Sequence, residues 1–248
     1  MSQSLNRYYH GELAGLAAGD VVSLDPAEAK HLMKVRRARS GTEVELFDGA
    51  GIVAIGSLLP LGRRQPVKLR IESMACFAPP MRSLEVACAV PKGERIEVML
   101  DMLTQVGVDV IHLLEFEHSV RKPGDNRFQR WQRILLEACK QCRRPHAPVL
   151  NLPLSLDQWL EREVGVAGCL RILADPDGEA ATRLSSWLAE PGLSRIVVVI
   201  GPEGGISGDE SERLNTSGFR LLRLGPAIMR IETAAVALAA AIQANTPA

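Results

Sequence analysis

Two glycine-bearing loops near the C-terminus carry residue types that could surround a small ligand. Residues 201–205 (GPEGG) follow the apolar run 196–200, and residues 225–230 follow the apolar run 219–224. Glycines let a backbone turn sharply and approach a ligand closely. Glu203 inside the first loop would repel phosphate, and neither loop contains G-x-G-x-x-G or a P-loop motif. We therefore expect a neutral or cationic ligand here.

The second loop combines apolar side chains with one cation. Ile228 and Met229 could hold an adenine between them while backbone groups read its edge, and Arg230 stands beside them. Glu232 lies in the first turn of a predicted alanine-rich helix, where the helix dipole alone would favour an acid. After the first loop, residues 207–210 (SGDE) have the spacing of a capping box, so a helix should begin there at a defined residue.

Strand and helix patterns indicate what must position these loops. Residues 1–76 contain short, partly alternating apolar runs that predict a small β-barrel, and the prolines near residue 80 predict a linker. From residue 82 to 248, predicted strands and helices alternate, which indicates an α/β domain with a mainly parallel sheet. One of its predicted helices covers residues 179–188. Ligands bind such sheets at the carboxyl ends of the strands, where both loops lie.

Composition excludes several classes of protein. The 248 residues are 46% hydrophobic and contain no apolar run long enough to cross a membrane, and the N-terminus has no apolar centre of a signal peptide, so we expect a cytoplasmic protein. The five cysteines include Cys139 and Cys142 in a C-x-x-C inside a predicted helix. Two incidental helix cysteines are favoured over a redox or zinc site, and no metal is expected.

The formal net charge is zero, but the basic residues are clustered. Residues 30–39 carry five basic residues and no acid, and residues 118–146 carry eight against two acids. Such clusters suit a polyanion because each neutralised phosphate releases counterions. A solvated basic surface is the alternative. Two clusters in one chain with a candidate cofactor site favour nucleic acid slightly.

The motif GPEGG-I-S-x-x-E at 201–210, followed by LG-x-x-I-M-R-x-ETA at 224–234, resembles the C-terminal motifs of the SPOUT methyltransferases. Nearly the whole chain is similar to the ribosomal small-subunit RNA methyltransferase E family, which methylates N3 of a uridine. Residues 7–9 (RYY), 47–49 (FDG), 92–95 (KGER) and 118–119 (HS) are further matches. Two positions depart from the family's pattern, since Gln105 replaces a glutamate and Ala227 replaces an arginine.

The resemblance implies a PUA-like N-terminal barrel and a C-terminal α/β domain with a deep trefoil knot that holds S-adenosylmethionine. It also implies a homodimer that acts on 16S ribosomal RNA of the small ribosomal subunit. Carried over by position, the cofactor site comprises Leu173, Ala174, Ile200, Gly201, Glu203, Gly204, Leu224, Gly225, Ile228, Met229, Arg230, Glu232, Thr233 and Ala234.

The N3–H of uridine is a weak acid, and N3 attacks a methyl group best once it is deprotonated. We predict that Arg230 stabilises the developing negative charge, and that Glu203 is either a base or a positioning group. The predicted RNA-binding residues are Arg7, Lys34, Arg36, Arg37, Arg121, Lys122, Arg143 and Arg144.

Three other functions remain open. One is a SPOUT methyltransferase acting on tRNA or large-subunit RNA, and another is a non-catalytic RNA-binding ribosome assembly factor. The third is a nucleotide-dependent oxidoreductase, which the missing G-x-G-x-x-G disfavours.

Overall fold

A computed structural model describes residues 5–35, 37–60, 66–119, 125–163 and 166–246. The chain divides into two compact units. The first comprises Met1–Pro79 with Cys139–Ala147, and the second comprises Pro80–Ala138 with Pro148–Ala248. The boundaries expected from the sequence, 1–76 and 82–248, put Cys139–Ala147 in the C-terminal domain, whereas the structure packs this segment within the first unit.

The first unit contains a five-stranded sheet in the order β1-β3-β4-β5-β2, in which β1 and β3 are parallel and the other neighbours are antiparallel. The strands are β1 (Arg7–Tyr9), β2 (Val21–Ser23), β3 (Glu43–Phe47), β4 (Ile52–Leu58) and β5 (Lys68–Cys76). Asp48 shapes the turn between β3 and β4, because its Oδ1 accepts from the backbone N–H groups of Ala50 at 2.7 Å and Ile52 at 2.9 Å. Helix α1 (Pro26–Lys30) begins after its cap Asp25 and continues into a π-helical turn, His31–Val35.

The second unit contains a six-stranded sheet in the order β11-β9-β10-β6-β7-β8, and each neighbouring pair is parallel. The strands are β6 (Ser83–Ala89), β7 (Val110–Glu115), β8 (Val149–Ser155), β9 (Cys169–Ala180), β10 (Arg195–Ile200) and β11 (Arg220–Arg223). The accompanying helices are α2 (Arg95–Gln105), α3 (Asp125–Cys142), α4 (Leu156–Glu163), α5 (Leu184–Leu188), α6 (Gly208–Thr216) and α7 (Ile231–Asn245). The predicted α/β class with a parallel sheet is confirmed.

Strand β10 lies inside this sheet, and its residues from Ile196 to Ile200 are all buried. A strand that is apolar at every position needs cover on both faces, as parallel sheets have. Strand β9 contains an excursion beside β11. Leu173 pairs with Leu221, and the next paired residue, Glu179, pairs with Leu222, so residues 174–178 leave the register. The predicted helix over residues 179–188 is therefore wrong at its start.

The parallel arrangement places the loops after β6, β9, β10 and β11 at one edge of the sheet. Register confirms that the strand ends are level, because Val199 pairs with Leu173 and Ile200 pairs with Cys88. The two glycine loops and the segment that follows β6 therefore leave the sheet side by side. None of the helices in the described ranges has the length and apolar character needed to cross a membrane.

Candidate active site

The first glycine loop is a tight turn that is fixed at both ends. The Gly205 N–H donates to the Pro202 carbonyl at 3.0 Å, and Gly205 has a positive φ of 82°. A Cβ at Gly201 would lie 2.5 Å from Cγ1 of Ile206, so this position accepts only glycine without rearrangement. The predicted capping box is present: the Ser207 N–H donates to Glu210 Oε2 at 3.0 Å, and the Glu210 N–H donates to Ser207 Oγ at 3.4 Å.

The Glu203 side chain extends from this turn and forms ion pairs with two basic residues that follow β6. Its Oε2 lies 3.0 Å from Lys92 Nζ, and its Oε1 lies 2.8 Å from a terminal nitrogen of Arg95. The hydrogen bond from Lys92, followed by that from Arg95, lowers the pKa of the Glu203 carboxyl group. Glu203 is therefore ionised at neutral pH and is a weak proton acceptor, an arrangement that favours positioning over base catalysis.

Arg95 also links the first loop to the start of α7. Its other terminal nitrogen lies 3.5 Å from Glu232 Oε1, and its Nε donates to the Lys92 carbonyl at 3.2 Å. The second carboxylate oxygen, Glu232 Oε2, is buried and has no hydrogen-bond partner within the described parts of the chain. A buried acceptor without a partner is costly, so a hydrogen-bond donor on a bound ligand fits this position.

The sequence reasoning assigned no site role to Lys92 and Arg95. Two signals were available, because residues 92–95 (KGER) match the family and also follow a strand of the parallel sheet at its carboxyl end. Their pairing with Glu203 and Glu232 depends on the three-dimensional order of the strands, which the sequence alone does not show.

The second loop exposes the side chains that were predicted to contact a cofactor. Ile228 is 91% exposed and Met229 is 36% exposed, and a Cβ at Gly225 would lie 3.8 Å from the terminal methyl of Met229. Arg230 is the N-cap residue of α7, and its carbonyl accepts from the Ala234 N–H at 2.9 Å. Its exposed guanidinium makes no ion pair or hydrogen bond to any described residue, so it is available to an anion.

The remaining predicted cofactor residues lie near the ends of β9, β10 and β11 and in the first turn of α7. Leu173 and Ile200 are buried at adjacent strand ends, and Ala174 is half-buried where β9 leaves its register. Leu224 is half-buried just after β11, while Thr233 is exposed and Ala234 buried in the first turn of α7. All the predicted cofactor residues thus belong to the strand ends, the loops and the first turn of α7 at one edge of the sheet.

The predicted role of Arg7 in RNA binding needs correction. Arg7 is buried, its Nε lies 3.0 Å from Glu45 Oε1, and its guanidinium carbon lies 4.3 Å from the centre of the Phe47 ring. One terminal nitrogen also donates to the Cys139 carbonyl at 3.2 Å. Burial lowers the pKa of Arg7, and the neighbouring Glu45 opposes this effect. Arg7 is therefore engaged in contacts inside the first unit and does not present its charge to an RNA phosphate.

The other predicted RNA contacts differ in availability. Lys34 and Arg37 are exposed, whereas Arg143 lies 3.3 Å from Glu45 Oε1 and Arg144 is half-buried. The predicted contacts Arg36, Arg121 and Lys122 lie outside the described residues.

A buried polar network occupies the opposite, amino end of the second sheet. Arg195 binds Glu85 through two contacts of 2.6 Å and also lies 2.7 Å from Glu163 Oε2. His112 Nε2 lies 2.9 Å from Glu85 Oε2. Burial alone would raise the pKa of Glu85, but the hydrogen bonds from Arg195 and His112 lower it to about 2. We infer that this network stabilises the folded second unit and takes no part in the candidate active site.

The cysteines and other metal-ligating side chains show no sign of a further chemical site. The described residues contain no group of three or more His, Cys, Asp or Glu that could hold a metal ion. Cys139 and Cys142 are free, and burial raises the pKa of the Cys139 thiol to about 11, which makes it unreactive.

Both parts of the chain match models of known protein families. An RNA methyltransferase domain model matches residues 78–243, and an RNA methyltransferase PUA domain model matches residues 24–71. The ribosomal RNA small subunit methyltransferase E of Mycobacterium bovis is 32% identical over 231 residues, which cover 90% of this chain and 86% of the relative. Its counterpart from Synechocystis is 30% identical, with coverages of 90% and 73%.

Solved structures share the same architecture. Ribosomal RNA small subunit methyltransferase E from Neisseria gonorrhoeae, bound to S-adenosyl methionine, has a TM-score of 0.83 at 25% identity and covers 98% of both chains. A Legionella pneumophila protein in complex with the bound cofactor SAM has a TM-score of 0.82 at 28% identity, with 97% of each chain covered.

Proposed function

Because the chain belongs to the ribosomal RNA small subunit methyltransferase E family of RNA methyltransferases, we propose that it transfers a methyl group from S-adenosylmethionine to N3 of a uridine in 16S ribosomal RNA. One observation of the site supports this most directly. Arg95 joins Glu203 of the first loop to Glu232 of α7, and Arg230 at the same edge is an exposed cation that pairs with none of the described residues. Such an edge offers one carboxylate oxygen of Glu232 to a hydrogen-bond donor of the cofactor, and a cation to an anionic nucleophile.

The residues present fit the proposed cofactor. Glu232 Oε2 is a buried acceptor with no hydrogen-bond partner among the described residues, so it suits a donor group of the cofactor. The exposed apolar side chains of Ile228 and Met229 suit the faces of an adenine. When bound, S-adenosylmethionine supplies an electrophilic methyl group attached to a positively charged sulfur. The loops at 201–205 and 224–230 would hold the adenosine and methionine parts.

We assign the stabilisation of the reacting base to Arg230. Loss of the N3 proton to solvent, which reaches the exposed second loop, leaves negative charge on the uracil ring, and an arginine, which stays protonated in proteins, can stabilise that charge. The N-terminus of α7 adds a positive helix dipole at the same place. Glu203 acts as a positioning group, because its two ion pairs and lowered pKa make it a poor proton acceptor.

RNA binding is proposed to use the exposed cations of the first unit, Lys34 and Arg37. Arg36, Arg121, Lys122, Arg143 and Arg144 remain proposed contacts on the basis of the two basic clusters in the sequence. Phosphate contacts of this kind orient an RNA without reading its sequence.

We also propose a homodimer, a knotted C-terminal domain and a cytoplasmic location. Support for the dimer comes from α2, where Val98 is 50% exposed and Met102, one turn later, is 46% exposed. Apolar residues at this spacing lie on one face of a helix, and a second copy would bury them. Met102→Glu should convert the dimer to a monomer in light scattering. An unchanged particle mass would contradict this interface.

The function is tested by incubating the protein and S-adenosylmethionine with small subunits that lack the modification, followed by mass spectrometry of the nucleosides. The expected product is 3-methyluridine. A different methylated nucleoside, or methylation of tRNA or large-subunit RNA instead, would contradict the proposed target. Binding of subunits with no methyl transfer under any of these conditions would favour an assembly factor.

A further inference from the structure

A short segment after β7 contacts the first glycine loop. Strand β7 is a neighbour of β6, so residues 116–119 leave the sheet at the same edge as the candidate active site. The segment is a closed turn, because the Phe116 N–H donates to Ser119 Oγ at 2.8 Å and the Ser119 N–H donates to the Phe116 carbonyl at 3.0 Å. It therefore presents its side chains from a defined backbone.

His118 contacts both Gly204 and Gly205 of the loop. Its Nδ1 lies 3.1 Å from the Gly205 carbonyl oxygen. Its Cβ lies against Gly204 so closely that a Cβ built at Gly204 would be only 2.9 Å away. Because a carbonyl oxygen only accepts hydrogen bonds, Nδ1 must carry the proton, which fixes the tautomer of the neutral ring.

The neighbouring backbone fixes the far end of the loop. The Glu117 N–H donates to Glu210 Oε1 at 2.8 Å, while Glu210 Oε2 accepts from the Ser207 N–H at 3.0 Å. Lys92 and Arg95 hold Glu203 on the remaining side. The loop is thus supported at Glu203, at Gly204 and Gly205, and at Ser207, and His118 supplies the middle support through one side chain.

We propose that His118 is a positioning residue, whose imidazole N–H sets the position of Gly204 and Gly205 and thereby prepares the loop for the cofactor. This role rests on the proposed cofactor site but requires no proton transfer by His118. A loop that must be ordered on binding lowers affinity, because the ligand then supplies the ordering free energy. The contribution of His118 therefore belongs to cofactor binding rather than to the methyl-transfer step.

Two amide substitutions separate the nitrogen positions of the ring. In His118→Asn the amide nitrogen can occupy the place of Nδ1, whereas in His118→Gln it lies nearer the place of Nε2. We expect His118→Asn to retain the affinity for S-adenosylmethionine in calorimetry. His118→Ala and His118→Gln should weaken it about fivefold, the value of one net hydrogen bond. The KM for S-adenosylmethionine should rise accordingly, with kcat at saturating cofactor unchanged.

Hydrogen exchange of the cofactor-free protein gives a second readout. The Gly205 and Ser207 amides should exchange faster in the Ala and Gln variants and at the wild-type rate in His118→Asn. Glu212→Ala, an exposed substitution on α6 beyond the loop, should change neither exchange nor affinity.

Wild-type affinity in His118→Ala, or a His118→Asn variant as weak as His118→Ala, would overturn the proposal. Retained affinity with lost turnover in His118→Asn would also overturn it, by indicating imidazole chemistry. If the wild type bound no S-adenosylmethionine but the exchange pattern held, the cofactor proposal would fail and the support by His118 would stand.

Discussion

Arg95→Met should separate the two cofactor loops without removing either of them. Arg95 holds Glu203 at 2.8 Å and Glu232 at 3.5 Å, so the variant loses one close ion pair and one longer contact between these elements, together with the hydrogen bond to the Lys92 carbonyl. Lys92 still binds Glu203. A hydrogen bond between charged groups contributes about 1.5–3 kcal/mol, and the lower end applies because both Arg95 and Glu203 are about one-third exposed. The free energy lost with this ion pair is the most that cofactor binding must supply to bring the loops together in the variant. Since about 1.4 kcal/mol is a factor of ten, affinity should fall by about tenfold or less.

The assay is calorimetric titration with S-adenosylmethionine, together with the free energy of unfolding of the cofactor-free protein. Arg130→Met is the matched control, because Arg130 makes a 2.7 Å pair with Glu97 on α2 but contacts neither loop. We expect Arg130→Met to leave affinity unchanged. If Arg95→Met bound the cofactor as tightly as this control, the loops would not depend on Arg95, and the reasoning would be refuted.

Three further outcomes follow from the site and its surroundings. Arg230→Ala should lower kcat by about 10²–10³ with cofactor affinity retained in calorimetry, and near-normal turnover would remove Arg230 from the chemistry. The unfolding free energy of the wild type should fall as the pH drops from 4.5 towards 2, because Glu85 has a lowered pKa and its stabilising charge is lost on protonation. Thermal melts at different pH values should show a weaker pH dependence for Glu85→Gln. The double variant Lys34→Ala/Arg37→Ala should reduce the slope of log affinity for RNA against log salt by about 2, and an unchanged slope would exclude both residues as phosphate contacts.

Much of the site could be located from the sequence because it follows from a parallel sheet. Alternating strands and helices predicted that sheet, and its carboxyl edge necessarily collects the loops that follow neighbouring strands. The glycines at 201–205 and the capping box at 207–210 are local signals, so their geometry was also predictable. The family resemblance, which the comparisons confirm, added the methyl donor and the RNA.

Strand pairing explains why the predicted helix over residues 179–188 is wrong at its start. Glu179 and Ala180 pair with Leu222 and Arg223 after an excursion of the chain at residues 174–178. A Cβ at Gly178 would lie 2.5 Å from the backbone of Leu221, so glycine permits this close approach. Helical propensity is a weak local preference, and pairing with a neighbouring strand overrides it. The helix begins only after Ala180, as a short 3₁₀ turn followed by α5.

The number of basic residues available to RNA was also overestimated from the sequence, because contacts between distant parts of the chain pair some of them with acids. The parallel pairing of β1 with β3 sets Arg7 directly opposite Glu45, and the segment Cys139–Ala147 brings Lys140 to Glu28 within the same unit. Neither pairing is encoded in the local sequence, so a count of basic residues treats bound cations as available ones. A phosphate contact requires a cation whose partner is not already supplied by the fold, because exchanging a buried carboxylate for a solvated phosphate gains little. The salt dependence of RNA binding should therefore be smaller than the two basic clusters alone indicate, and it should respond to Lys34 and Arg37 rather than to Arg7.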